Sequence, residues 1–306
     1  MPRFATLLER LRLPLIAAPM FRVSGVDLVV AARRAGIIGA FPTANCRSAD
    51  ELDRWLTAIN AVEAAAPWCA NLIVHKSNPR MREDLATLLR HKPEIVITSV
   101  GSPAGVVGPL HDAGALVFSD VASIRHAERA IAAGADGLIL LAAGAGGQTG
   151  WLNPFAFVRA VRRFFAGPLV LAGGIGDGQA LAAAIALGCD LGYMGTRFIA
   201  TTESMAQPDY KRMLVDSTAD DVLLTRAFTG LQTNMLRPSI TAAGLDPDNL
   251  PARGTIDVAK DLSADQPRRW KDIWSAGHSV SSVTGVETAE AVIASTAAEY
   301  AAARAA

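Results

Sequence analysis

A short apolar run followed by an amphipathic run recurs roughly every 20 to 35 residues over the first two-thirds of this chain, about eight times. The apolar runs are Leu15–Pro19, Gly36–Phe41, Cys69–Val74 and Glu94–Val100, then Ala115–Ser119, Gly137–Ala142, Pro168–Ala172 and Gly192–Gly195. They are mostly apolar rather than alternating, as strands buried on both faces must be. Helical patterns lie between them at Ala49–Ala65, Arg80–His91, Ser123–Ala133, Pro154–Phe165 and Gly178–Leu187. Ser48 with Glu51 three residues later predicts a capping box. Pro154 suits the first turn of a helix, and Gly188 suits a C-cap. About eight such units predict an α/β fold closed into a parallel (β/α)8 TIM barrel. An open doubly wound sheet is the competing arrangement.

From about residue 205 the pattern changes. Asp209–Asp216 and Ala219–Thr229 have helical spacing with no strand between them, and Arg237–Gly254 is rich in turn formers. A last helix is expected over Glu287–Ala303. The expected organisation is a barrel of residues 1–204 and 271–306, with residues 205–270 as a small helical appendage over its mouth.

Composition narrows the function classes. The 306 residues are 51% hydrophobic and 19% charged, enough for a large core. Lys and Arg balance Asp and Glu at 29 each, and basic residues neither cluster nor alternate with aromatics. Nucleic acid is therefore not an expected partner. Cys46, Cys69 and Cys189 form no CxxC pair, so neither a disulfide framework nor a metal site is expected, and a cytoplasmic setting is. No apolar run has the roughly 18 residues of a membrane span, and the N-terminus does not resemble a secretory signal.

In a closed parallel barrel the chemistry lies at the C-terminal ends of the strands. That rule selects Ala18, Pro19 and Met20, then Asn71, His75, Ser99 and Asp120, and finally three glycine-bearing loops: Gly144–Gly150, Ala172–Gly176 and Met194–Arg197. Gly173-Gly174 and Gly195-Thr196 each lie between a strand and a helix. There the backbone can approach an anion and aim N–H groups at it. Barrels commonly hold phosphate on these last two loops, so a phosphate-bearing ligand is expected. Each glycine pair alone would also suit a plain tight turn. The dinucleotide fingerprint fails on spacing: after Gly144 and Gly146 the third glycine falls at Gly150 instead of at Thr149, and Gln179 stands where Gly174 and Gly176 would require one.

Ala18-Pro19-Met20, Asn71-Leu72, Gly144–Gly150, Ala172-Gly173-Gly174 and Met194–Phe198 fall in an order that resembles the nitronate monooxygenases, formerly called 2-nitropropane dioxygenases. That superfamily includes FMN-dependent enoyl-ACP reductases and NADH:quinone reductases. The resemblance runs over about residues 13–204 and resumes at Trp274–His278. It implies an FMN-dependent oxidoreductase oxidising alkyl nitronates with O2. Gly173, Gly174, Gly195 and Thr196 would bind the phosphate. Ala18, Met20, Asn71, Gly146 and Gly147 would lie along the ribityl chain and ring, with Pro19, Asp120, Gln148 and Met194 beside them. Many members carry a histidine base where this chain has Gln148, and Lys or Gln where it has Asp120. An amide cannot take a proton but can orient a substrate that is already an anion.

Gln148 and His75 are the candidate catalytic residues, and His75, Ser99 and His278 the candidate substrate contacts. The runner-up is an NAD(P)H-dependent FMN reductase of a quinone or enoyl thioester, with NAD(P)H as co-substrate. A flavin-free barrel acting on a phosphorylated metabolite is the third reading. The expected partner is a small molecule, and a homodimer is a candidate assembly.

Overall fold

The computed structural model describes residues 2–252, 254–259 and 271–305. Eight parallel strands close into a barrel. They are β1 (Leu15–Ala17), β2 (Ile38–Pro42), β3 (Trp68–Ile73), β4 (Ile95–Ser99), β5 (Leu116–Val121), β6 (Gly137–Leu141), β8 (Leu169–Ala172) and β9 (Leu191–Met194). Closure is direct, with Ile16 of β1 pairing Tyr193 of β9 on one side and Ile38 of β2 on the other.

The lumen below the mouth is a packed core, not a pore. Ile16, Ile38, Ile95, Ile97, Phe118, Ile139, Val170 and Leu191 fill it. Its lower end is closed by α1 (Pro2–Leu8), whose Phe4 and Leu7 join the same cluster. The outer faces of the strands pack against helices, as with Leu52 and Leu56 of α3 (Ala49–Asn60) and Phe157 and Val161 of α7 (Pro154–Arg162).

Local signals explain many boundaries. Asn153 caps α7 just ahead of Pro154, and Asp177 caps α8 (Gly178–Leu187), which ends at Gly188 with φ +111°. Ser48 accepts from the Glu51 N–H as expected, but the Glu51 carboxylate returns to the Arg47 N–H, one residue earlier than in a capping box. Among the helices that flank the barrel strands, α1, α2 (Val26–Arg34) and α5 (Ala104–Asp112) fall on segments where the sequence reading placed no helix.

Beyond residue 205 two expectations are corrected. α10 (Pro208–Asp216) forms as expected, but Ala219–Thr229 is not a helix. It is a 3-10 turn followed by strand β10 (Val222–Thr225), whose Val-Leu-Leu-Thr run favours an extended chain. Arg237–Gly254 is not all turns, because Pro238 opens a helix, α11 (Arg237–Ala242). Between them, β11 (Thr233–Leu236) pairs antiparallel with β10 and with the two-residue β7 (Gly147–Gln148) outside the barrel. Residues 260–270 of the expected appendage lie outside the described residues. The C-terminal helix (Ala289–Ala305) packs back on α8. Among the described residues no helix is long and apolar enough to cross a membrane.

Candidate active site

One cavity of about 240 Å³ opens at the C-terminal ends of the strands. A water needs only about 30 Å³, so this space suits a ligand group. Its walls come from strand ends far apart in sequence but adjacent in the barrel.

On the β1 side lie Ala18, Pro19 and Met20. Their loop is held by side chains outside the cavity lining. The Ala18 N–H donates to Met194 O at 2.9 Å, and the Ser24 hydroxyl donates to Ala18 O while accepting from Met20 N–H. Asn45 donates to Met20 O and Ser24 O. Asn71 and Ser99 line it from the ends of β3 and β4. The Ser99 hydroxyl donates to Asn71 Oδ1 at 3.1 Å, so Nδ2 is the Asn71 atom left to donate to a ligand.

Gly146, Gly147 and Gln148 line the cavity from the loop after β6. This loop is clamped from above. Asn234 of β11 donates to Ala145 O at 2.7 Å, and His278 N–H donates to Gly144 O at 2.9 Å. Glycine is needed at the contact, since a Cβ on Gly146 would lie 2.8 Å from Gly277 N. The Gly277 N–H donates in turn to Thr196 Oγ1 at 2.9 Å, which ties the strand-six loop, the strand-nine loop and the C-terminal segment together.

Gly173, Gly174, Gly195 and Thr196 form the fourth wall. Gly173 and Gly174 have φ of +119° and +79°, a backbone that L side chains rarely adopt. A Cβ on Gly174 would meet nothing within 4 Å, so its missing side chain leaves open space beside the backbone. That is a cradle shaped for an anionic group. Trp274, Ser275 and Tyr210 cover the top. The Tyr210 and Trp274 rings stack with centroids 5.0 Å apart, and the Tyr210 hydroxyl donates to Ser275 O.

Asp120 is the one carboxylate among the described lining residues, and no Lys, Arg or His joins it there. Its Oδ1 is buried without a hydrogen-bond partner among the described residues. Burial raises its pKa to about 7. Burial also pushes the phenol of Tyr193 well above its ordinary value and that of Tyr210 up to about 12, so both stay neutral.

Three expected residues stand elsewhere. Met194 is wholly buried behind the wall. His75 lies past β3 outside the lining, its Nδ1 2.7 Å from the Ser77 hydroxyl. His278 is exposed, with its ring against Gly144. Arg197 is engaged by Glu287 at 2.9 Å and by Ser282 O. Tyr193, Tyr210, Val258 and Ile273 line the cavity without having been singled out. For Tyr193 a signal existed: a polar ring one residue before the end of an apolar strand. Among the described residues no group of three His, Cys, Asp or Glu side chains could hold a metal ion.

The nitronate monooxygenase family profile matches residues 4–245. The chain belongs to the nitronate monooxygenase family. That family is flavin-dependent. A nitronate monooxygenase of Paraburkholderia phytofirmans is 34% identical over 187 residues, covering 58% of this chain and 51% of that protein. A (3aS,4S,5R,7aS)-5-hydroxy-7a-methyl-1-oxo-octahydro-1H-indene-4-carboxyl-CoA dehydrogenase of Mycobacterium tuberculosis is 29% identical, covering 74% of this chain and 64% of that one. The chain thus spans about half to two-thirds of these curated relatives. Among solved structures, a nitroalkane oxidase from Streptomyces ansochromogenes superposes with a TM-score of 0.84 at 25% identity, over 98% of this chain and 99% of that one.

Proposed function

We propose that this member of the family is an FMN-dependent oxidase of alkyl nitronates that uses O2. The observation that carries the reading is convergence. The glycine cradle of Gly173, Gly174, Gly195 and Thr196 shares one cavity with Ala18, Met20, Asn71, Gly146 and Gln148, drawn from distant parts of the sequence. These residues fit a flavin nucleotide. The cradle would hold its phosphate, and the Asn71 Nδ2 would donate to its ring system. Bound there, FMN would supply the redox chemistry, accepting electrons from the substrate and passing them to O2. The protein's part is binding, orientation and exclusion of water. Trp274, Tyr210 and Ser275 cap the cavity, so substrate charge would be held in a low-dielectric space. The appendage expected over residues 205–270 would contribute Tyr210 to this cap, and the segment that follows it Trp274 and Ser275.

Gln148 would orient the nitro group through its side-chain amide. Its backbone is fixed by pairing with Thr233. Gln148→Ala is expected to raise KM for ethylnitronate about tenfold, the loss of one hydrogen bond of about 1–1.5 kcal/mol. An unchanged KM removes Gln148 from the substrate contacts.

The first test is direct. Purified protein is expected to be yellow, to release FMN on heating, and to consume oxygen when given ethylnitronate. A colourless protein that takes up no FMN overturns the reading. The CoA-thioester substrate named for the M. tuberculosis relative supports a second reading, an NAD(P)H-dependent reductase of an enoyl thioester or quinone. Anaerobic mixing separates them: flavin bleaching by NADH or NADPH within seconds favours the reductase.

A further inference from the structure

We propose that the outer face of α7 is a homodimer interface, on which two copies of this chain dock with their α7 helices crossing antiparallel about a two-fold axis. The inference is independent of the flavin and of the substrate.

The side chains on that face carry it. Trp151, Phe155 and Phe164 are 68%, 59% and 45% exposed. They are the aromatics among the exposed large apolar side chains of the described residues, and all three stand on α7 or within three residues of its ends. Their rings leave roughly 350 Å² in water, since an aromatic side chain presents about 150–250 Å² in all. A contiguous apolar patch of that order marks an interaction surface. Two copies would cover about 700 Å² of ring surface, nearly half of the roughly 1,600 Å² that a stable protein interface buries. Ala156, Arg159 and Arg163, all exposed, would supply more.

Charge narrows what can cover the patch. Residues 137–176 hold three arginines and no Lys, Asp or Glu, and α8 alongside carries no charged residue. Arg162 is taken by Asp190 at 2.6 Å. Arg159 reaches only a carbonyl, Leu187 O, and neither it nor Arg163 is in an ion pair among the described residues. Trp, Phe and Arg in the absence of Lys, Asp and Glu is the composition of protein interface cores.

The order of residues selects a second copy. Phe155, Arg159 and Arg163 repeat every four residues and so share one face of α7, with Trp151 a further four residues back, ahead of the Asn153 cap. The aromatics fill the N-terminal half of this stripe and the cations the C-terminal half. An antiparallel copy is therefore its complement. Phe155 meets Arg159 of the partner subunit, and Trp151 meets Arg163 of the partner subunit, each contact made twice. A guanidinium over an aromatic face is attractive. Ala156 beside them is small enough to let the two helices approach. Asn153 Oδ1 accepts from the Phe155 and Ala156 N–H groups, so the ring is presented on a capped, rigid turn. An anionic lipid surface would also attract arginine, but it would leave this order without a purpose.

The test is sedimentation velocity of the full chain over a concentration series. Wild type is expected to reach twice the 32.0 kDa of the chain. Phe155→Lys sets like charges against each other across the axis and is expected to raise the dimer dissociation constant about 100-fold or more. Adding Arg159→Glu to it turns that repulsion into an ion pair and should recover at least about tenfold. Thermal melts of dilute protein check that the variants fold, as exposed positions should allow. Geometry has its own readout. The native cysteines are buried, so Ala156→Cys adds a lone surface thiol close to the axis. On mild oxidation it should cross-link to itself far faster than Ala298→Cys, which is exposed on the C-terminal helix. A wild type that stays monomeric overturns the proposal, and one that instead sediments with phosphatidylglycerol vesicles overturns it in favour of a membrane surface. A dimer that Phe155→Lys leaves intact, a loss that Arg159→Glu does not recover, or cross-linking no faster than at residue 298 overturns it as well.

Discussion

Gly174→Asp is expected to give a folded, colourless protein. Gly174 lines the cavity at the end of β8, and a Cβ there meets no atom within 4 Å, so the fold has room for the side chain. The ligand does not. The carboxylate would project into the space assigned to the flavin phosphate. At about 5 Å and an effective dielectric of about 20, two unit charges repel by about 3 kcal/mol, and a phosphate carries more than one. The backbone adds strain, because Gly174 sits at φ +79°. Together these weaken FMN binding more than 100-fold. Gly174→Ala carries the strain and a methyl group but no charge, and should cost roughly tenfold or less. The measurement is flavin content after purification and FMN affinity by fluorescence titration, with thermal melts to establish folding. If Gly174→Asp retains FMN as the wild type does, the phosphate lies elsewhere and the positions assigned along the ring go with it.

The barrel was legible because its signal is local and repeated. Strands buried on both faces leave continuous apolar runs, and eight of them survive scatter at any single one. The glycine turns were legible for a related reason: a turn with positive φ excludes nearly every other residue, as at Gly173 and Gly174. The small sheet above the mouth was not legible. β7 has two residues and β10 and β11 four each, too short for a period to show. What fixes β7 is pairing with a strand far along the chain, seen in the Asn234 bond to Ala145 across 89 residues. Ser24 and Asn45 escaped notice for the same reason. They hold backbone, not ligand, and nothing in the sequence says which carbonyls they reach. His75 was singled out by its place just past a strand and His278 by the segment in which the resemblance resumes, but both lie outside the lining. Asp120 was visible as a strand-end acid. Its isolation was not, since lacking a partner is a property of three-dimensional surroundings.

That isolation depends on the floor beneath it, and Phe118→Ala is expected to remove the floor at a cost of about 3–5 kcal/mol. Phe118 is fully buried in the lumen two residues before Asp120. Its ring meets Phe4 of α1 at 5.9 Å between centroids, tilted by 54°, so one substitution loosens both the barrel core and its lower plug. The ring fits only because β6 begins with glycine: a Cβ on Gly137 would lie 2.6 Å from it. Such a site cannot collapse easily around a smaller residue, since the lumen side chains packed with it, Ile97 and Ile139 among them, stand on strands held in the closed ladder. At about 2–4 °C per kcal/mol for a chain somewhat smaller than this one, Tm should fall by roughly 10 °C. Phe118→Leu keeps most of the volume and should cost less than about 1.5 kcal/mol. The rim glycines are untouched, so the alanine variant should still bind FMN well below its melting point. A Tm shift under about 2 °C would mean that the lumen repacks freely, and a floor that repacks cannot hold Asp120 away from water.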